Sequence, residues 1–437
     1  MRYSFIKIIR KRVNGALALG FAIAFASIPL NALELTLKDA ETVAIQNDPL
    51  IVKFQATSSA FMEESVADSQ WPDPKIKFGI ANLPISNFSF SQEPMTQATI
   101  GLQQTIPRGN ILDQKKEKKL LMAEVERAKS MSRALLVLKN LRKAWMDVYY
   151  YDQALALVTE SDEVFTQLVK ITQYQYRAGR GKQQNVVSAQ LEKSLLKDKE
   201  IFFKQMKAIS IAELEKWTGA SVAKHQLSPF FPQLPNLPPI EELSSNIDFH
   251  PSMAVKKAQL GSARKSVAIM KEKFKPMWMV DVKYGLRQGE NMMPGVDGAE
   301  DELVSRPDFL SAMVSVDLPF FTEKRQDKRL NASGHTLNAA SDAVIAHRRE
   351  LKRMLEASYA NWLQLGTRLE FYKTTVLPQA AQYAETSRKA YQSHVSEFSD
   401  LVRSRLRQLD SNLQALKIRV DRTKAHYELQ YFAGEEL

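Results

Sequence analysis

Residues able to do chemistry are scattered along this sequence rather than gathered. The six histidines, at positions 225, 250, 335, 347, 394 and 426, form no ligand spacing, so each reads as a surface or helix-face residue. There is no His-Glu-x-x-His, no Gly-x-Ser-x-Gly, no P-loop and no dinucleotide fingerprint. The absence of cysteine excludes disulfides, thiolate zinc, iron–sulfur clusters, a cysteine nucleophile and a lipid-anchored N-terminal cysteine. Met292-Met293 offers two thioethers, a ligand type that suits Cu(I), or simply two flexible loop residues. The run Lys115-Lys116-Glu117-Lys118-Lys119 fits a solvated helix face or a headgroup contact. No catalytic residue, cofactor or metal site is expected, and the chain does not read as an enzyme.

The surrounding elements explain why. Between Asn110 and Ala178, and again from Lys182 to Thr218, there is neither Gly nor Pro. Runs of this kind favour very long helices. Within the first run, Leu121, Val125, Ala128, Met131, Leu135 and Leu138, then Trp145, Val148, Tyr151, Leu155 and Val158, recur at the mixed three-and-four spacing of a coiled coil. Four short segments alternate with period two instead, near 75–82, 96–106, 277–286 and 309–318, and predict strands. About ten residues suits a tilted strand crossing a bilayer, or a half-buried strand of a soluble sheet. Trp71, Trp278 and Phe309 near the strand ends fit an interfacial aromatic girdle or ordinary packing. The loops 83–95 and 287–308 bridge the strand pairs and are expected outside the cell.

Order and landmarks repeat. Asn47-Asp48-Pro49 corresponds to Phe249-His250-Pro251, Thr105-Ile106-Pro107 to Asp317-Leu318-Pro319, and Tyr176 to Gly179 to Tyr391 to His394. The plan is therefore a duplicated helix–strand–strand–helix unit, mainly α with a small β part. The expected division is a signal peptide at 1–32, a first repeat at 33–218, a proline-rich linker at 219–246 and a second repeat at 247–437. The signal reading rests on five basic residues before the apolar run Ala16–Leu30, with cleavage expected after Ala32. Those five charges taken from the net +11 leave +6, which does not suggest nucleic acid. Gly179 and Gly181 are expected to turn the first long helix back. His394 marks the equivalent bend of the second copy, where a non-glycine residue predicts a different turn geometry.

This ordered duplication resembles the TolC-like outer-membrane efflux proteins over essentially the whole mature chain. The residues that carry it are Asn47-Asp48-Pro49, Thr105-Ile-Pro-Arg-Gly109, Tyr176-Arg-Ala-Gly179 with Asn185-Val186 and Ala189-Gln190, and Tyr391 with Asp400-Leu401. Trp71-Pro-Asp-Pro-Lys75 with Asn82-Leu-Pro84 is similar to the heavy-metal-efflux branch. The resemblance implies a homotrimer with four transmembrane strands per chain closing a twelve-stranded barrel, above a long coiled-coil α-barrel in the periplasm. It implies the exit duct of a tripartite efflux system for metal ions or small toxic molecules. The partners would be a periplasmic adaptor, an inner-membrane efflux pump and outer-membrane lipid. It also implies a pore constriction, with the Gly179, Gly181 and His394 bends at the periplasmic end. Tyr391 matches the gating tyrosine and Asp400 the first acidic ring position. The second acidic position is Arg403 here, and the lock positions are Ser396 and Lys170. Asp400 also reads as a helix cap. A periplasmic coiled-coil structural or adaptor protein without a channel is the alternative function.

Overall fold

The computed structural model describes residues 35–219, 228, 230–293, 300 and 302–434. The expected signal peptide, His225 and part of the linker lie outside them. Helix α1 (Leu37–Asn47) starts from a reciprocal cap, in which Thr36 accepts from the Asp39 amide and the Asp39 carboxylate accepts from the Thr36 amide. Helix α2 (Pro49–Ala67) begins with Pro49 behind Asp48, whose carboxylate accepts from the Leu50 and Ile51 amides at 3.0 Å. Strands β1 (Lys75–Ala81) and β2 (Gln97–Ile106) follow, then α3 (Ile111–Arg177) and α4 (Gln183–Thr218).

The second copy repeats this. Residues 240–246 of the expected linker form helix α5 (Ile240–Asn246), and α6 (Pro251–Glu272) leads into β3 (Met277–Arg287). The segment 287–308 is not only a loop. It contains a two-stranded hairpin, β4 (Glu290–Met293) and β5 (Glu302–Ser305). After β6 (Phe309–Asp317) come α7 (Gln326–Phe371), a π turn at Tyr372–Val376, α8 (Leu377–Gln392) and α9 (Phe398–Ala433). Pro378 near the start of α8 lacks an amide hydrogen, which accounts for the loosened turn before it.

The two copies agree in length. Helix α3 has 67 residues, about 100 Å at 1.5 Å per residue. From Gln326 to Gln392, α7, the π turn and α8 together also span 67 residues. Helices α4 and α9 each have 36. No single core could hold helices of this length. Apolar clusters instead succeed one another along them, around Leu141, Trp145 and Leu214, around Val158, Phe165 and Leu401, and around Met253, Leu355 and Leu429. Small residues set the helix spacing. Ala123 and Ala128 are buried where α2 crosses α3, and a Cβ at Gly261 of α6 would lie 3.1 Å from Leu121 of α3. Phe231 of the proline-rich segment lies edge-on to Tyr149 and 3.8 Å from the Arg419 guanidinium, strapping the segment onto α3 and α9.

The four main strands form one antiparallel sheet in the order β1-β2-β3-β6, so the second strand of one copy pairs with the first strand of the other. Among the described residues, β1 and β6 each leave one edge unpaired.

Candidate functional site

Opposed residues of an antiparallel sheet share a face, so the register fixes what each face presents. One face carries the rows Ile76, Leu102, Val282, Ala312 and Phe78, Ile100, Tyr284, Leu310. Towards the helices it continues through Val280 with Val314 and Trp278 with Val316. Much of it is bare, with Phe78 78% and Leu310 74% exposed. Gln104 is the polar interruption, and its amide donates to the Pro72 carbonyl at 2.9 Å. The opposite face carries Lys75, Lys77, Thr99, Gln103, Asp281, Lys283 and Ser311, with Lys77 ion-paired to Asp281 across β2. The apolar face is as exposed as the polar one, or more so, which is the reverse of a soluble sheet that hides its apolar face.

Trp71 and Trp278 stand exposed at the helical end of the sheet, beside Phe320 and Phe321, which sequence reading missed. Phe309 does not join them. It pairs with Gly285 on the polar face at the far end, under the Arg287 guanidinium at 4.0 Å. At that end Arg306 donates to the Ser91, Glu93 and Gln288 carbonyls and Arg287 to the Pro94 carbonyl, clasping the two loops together.

The other end of the molecule is built by two helical hairpins with one geometry. At the end of α3 the Gly179 amide donates to Tyr176 and the Arg180 amide to Gln175, both at 2.9 Å. At the end of α8 the His394 amide donates to Tyr391 at 3.1 Å and the Val395 amide to Ala390 at 2.9 Å. Both are the double-bonded helix stop that needs a left-handed residue. Gly179 has φ +72° and His394 φ +57°. The expected difference in turn geometry is therefore corrected. Histidine is among the few non-glycine side chains that tolerate this region. Gly181 serves otherwise than expected. Its φ is not left-handed, but a Cβ there would sit 3.1 Å from the Gln175 Cβ.

The turns lie side by side. Tyr391 donates to the Gln175 amide oxygen at 2.7 Å, its ring lies edge-on to Phe398 at 5.8 Å, and Lys182 reaches Glu397 at 3.9 Å. Burial raises the Tyr391 phenol pKa above its usual value, against the Gln175 bond. Asp400 does not cap α9. Glu397 occupies the N-cap, and Asp400 lies in the first turn, where a carboxylate complements the helix dipole. It pairs with Arg403 at 3.7 Å, both partly exposed. Ser396 buries its hydroxyl oxygen without a partner.

Two histidines are buried, against the surface reading. His250 caps α6 in the place Asp48 holds in the first copy. Its Nδ1 accepts from the Ser252 amide and its Nε2 faces the Tyr431 carbonyl at 3.1 Å, which fixes the neutral tautomer. Burial drives its pKa down to about 4. Burial and then the Arg422 and Arg142 charges do the same to His426. The matching positions of Asp48-Pro49 and His250-Pro251 held the signal for the capping role. Met292 is exposed, the Met293 side chain lies outside the described residues, and no group of three or more His, Asp or Glu among the described residues could hold a metal.

No protein-family model matches the chain, and no curated protein matches it in sequence. Solved structures do. CusC, described for transmembrane channel formation, matches with TM-score 0.76 at 11% identity over 92% of this chain and 93% of its own. The outer membrane protein VceC of Vibrio cholerae matches with TM-score 0.74 at 13% identity, over 91% and 96%. The CmeC outer membrane channel of Campylobacter jejuni gives 0.74 at 12%, over 91% and 85%. The chain has the TolC-like fold. In this chain the paired turns lie at one end of the long helices and the four-stranded sheet at the other.

Proposed function

We propose that the chain is the outer-membrane exit duct of a tripartite efflux system, carrying metal ions or small toxic molecules and involving no catalysis. The observation that carries this reading is the sheet, with a bare apolar face, a charged opposite face and an unpaired edge on each side. In water the rows of Phe78 and Leu310 would be an aggregation surface, and the edges would invite pairing. In lipid the same face is solvated, and the edges are satisfied only by closing a barrel. Four strands are too few to do so, and a homotrimer supplies twelve. A periplasmic structural protein without a channel would leave these rows facing water.

The proposed partners are a periplasmic adaptor at the paired turns, an inner-membrane pump below it, and outer-membrane lipid around the sheet. Tyr391, Asp400 and Arg403 are proposed to line the constriction beside the Gly179, Gly181 and His394 bends. The test is fractionation of cells expressing the chain. A heat-modifiable trimer in the outer membrane supports the duct. A detergent-free soluble monomer sinks it.

A further inference from the structure

The polar face of the sheet leads to a cavity of about 380 Å³ where the strands meet the helices. Thr105 and Met277 line it, and both belong to the alternation set of Lys77 and Asp281, so it opens on that polar face. Four cations line it, Arg108, Lys115, Lys273 and Arg329, and no carboxylate does. Arg108 is committed, donating to the Lys273 carbonyl at 2.8 Å and pairing with Asp317 of the same face. Among the described residues, Lys115, Lys273 and Arg329 pair with no carboxylate. Of the acids nearby in sequence, Glu117 is engaged by Lys265, Glu272 by Lys275 and Asp327 by the Thr322 hydroxyl, while Asp113 in the first turn of α3 is exposed and does not line the cavity. Burial, then the like charges of Arg329, Lys115 and Arg108, holds the Lys273 ammonium below its ordinary range.

Somewhat under half of the lysines and arginines among the described residues pair with a carboxylate, so what sets this group apart is that three unpaired cations line one cavity. Leaving three cations together is unfavourable unless something negative visits them. Above the cavity the polar face adds Lys75, Lys77 and Lys283 against one carboxylate, Asp281. At the far end of the tube the Asp400 charge is offset by Arg403. From this distribution we infer that the duct is anion-selective, which sets free metal cations aside, and that its cargo is a small molecule bearing carboxylate or phosphate groups, drawn through a collar of Lys115, Lys273 and Arg329. The inference rests on the duct reading, since only closure of the sheet turns the polar face into a lumen. In a trimer the three unpaired cations per chain become a ring of nine. Such a ring raises local anion concentration within about one Debye length, about 10 Å at 0.1 M salt and about 3 Å at 1 M.

The test is the reversal potential of the purified protein in planar bilayers under a KCl gradient. The expected result is a severalfold chloride preference at 0.1 M that shrinks at 1 M. Lys115→Glu, Lys273→Glu and Arg329→Glu together should reverse the sign. Arg329→Gln alone, at an exposed position that folding tolerates, should shift it part of the way. Lys119→Gln, whose ammonium pairs with Glu64 away from the cavity, should leave it unchanged. Channels that conduct but show no chloride preference, or that ignore the Arg329 and triple substitutions, overturn the inference and leave the duct standing. A trimer that never conducts overturns the duct reading and the inference with it.

Discussion

Tyr391 and Gln175 bond to each other at 2.7 Å although 216 residues separate them. Each lies in the last turn of its own long helix, just before the left-handed residue that stops it. The bond thus joins the two helical stops at one end of the long helices. Replacing Tyr391 with Phe removes the donor and keeps the ring against Phe398. The loss is about 1 kcal/mol per chain for a partly exposed bond. The proposed constriction should open more often, seen as more frequent high-conductance events in planar bilayers. Unchanged gating would separate this tyrosine from the gate.

The two turns make opposite predictions from one geometry. His394 holds φ +57°, so His394→Gly should relieve strain and stabilise that hairpin by up to about 1 kcal/mol. Gly179→Val places a β-branched residue at φ +72° and should cost more than this. Nothing lies within 4 Å of a Cβ at Gly179, so the cost is backbone strain alone. Amide exchange at residues 178–182 should quicken in Gly179→Val while the outer-membrane trimer persists. Pump-dependent export should fall, and normal export at normal expression would refute the placement.

The long helices were legible because runs without Gly or Pro need no tertiary information to be read. Strand faces were legible because period two survives burial in lipid as well as in protein. What escaped depended on partners far away in sequence. The hairpin β4–β5 has four residues a strand and charged ends, too short for an alternation to register. Alternation with Leu310 already sets Phe309 on the polar face, but its place at the end of the sheet opposite Trp278 depends on the pairing of β6 with β3. The cap at His250 was signalled by its match to Asp48 ahead of a proline, but its burial was not, because that comes from Tyr431, 181 residues away. The cationic collar is assembled from α3, α6 and α7, and no local motif contains it.

Acid should destabilise the helical body through its buried histidines. The folded pKa of both His250 and His426 lies at about 4, below the ordinary 6.5. As pH falls below 6.5 the unfolded chain binds protons that the folded chain refuses. Stability is therefore lost progressively between about 6.5 and about 4, by up to about 3 kcal/mol for each histidine. The melting temperature of the detergent-solubilised protein should drop across this window. His426→Gln should flatten the drop without changing the neutral-pH channel conductance.

The apolar face should tolerate charge far less than the face behind it. Phe78→Lys puts an ammonium on the proposed lipid side, costing about 2–4 kcal/mol near the bilayer midplane. Lys77→Gln, one residue away, changes the other face and breaks only its pair with Asp281. Heat-modifiable trimer should vanish in the first variant and persist in the second. Equal trimer yield in both would contradict the assignment of faces. In the same cells, Ser86→Cys should react with an impermeant thiol reagent, because the chain has no other cysteine and the loop lies at the sheet end away from the helices.

The last prediction concerns Asp400 and Arg403. In a trimer each recurs three times about one axis, one helical turn apart. A bare ring of three carboxylates would concentrate multivalent cations. Here the Arg403 guanidinium lies 3.7 Å from the Asp400 carboxylate and offsets its charge. Both side chains remain partly exposed, so the pairing is weak in energy but sufficient to offset the field. A trivalent cation added on the periplasmic side should therefore block the channel only weakly. Arg403→Asp should strengthen block by an order of magnitude or more by placing a second acid in each chain, since about 1.4 kcal/mol of added attraction gives a factor of ten. Asp400→Ala should abolish the block that remains. If Ser396 and Lys170 stand where the resemblance implies a lock, the closed state should leak more than a locked one, since among the described residues neither forms an ion pair and the Ser396 hydroxyl oxygen is buried without a partner. Conductance and block that ignore both substitutions would place Asp400 and Arg403 outside the pore.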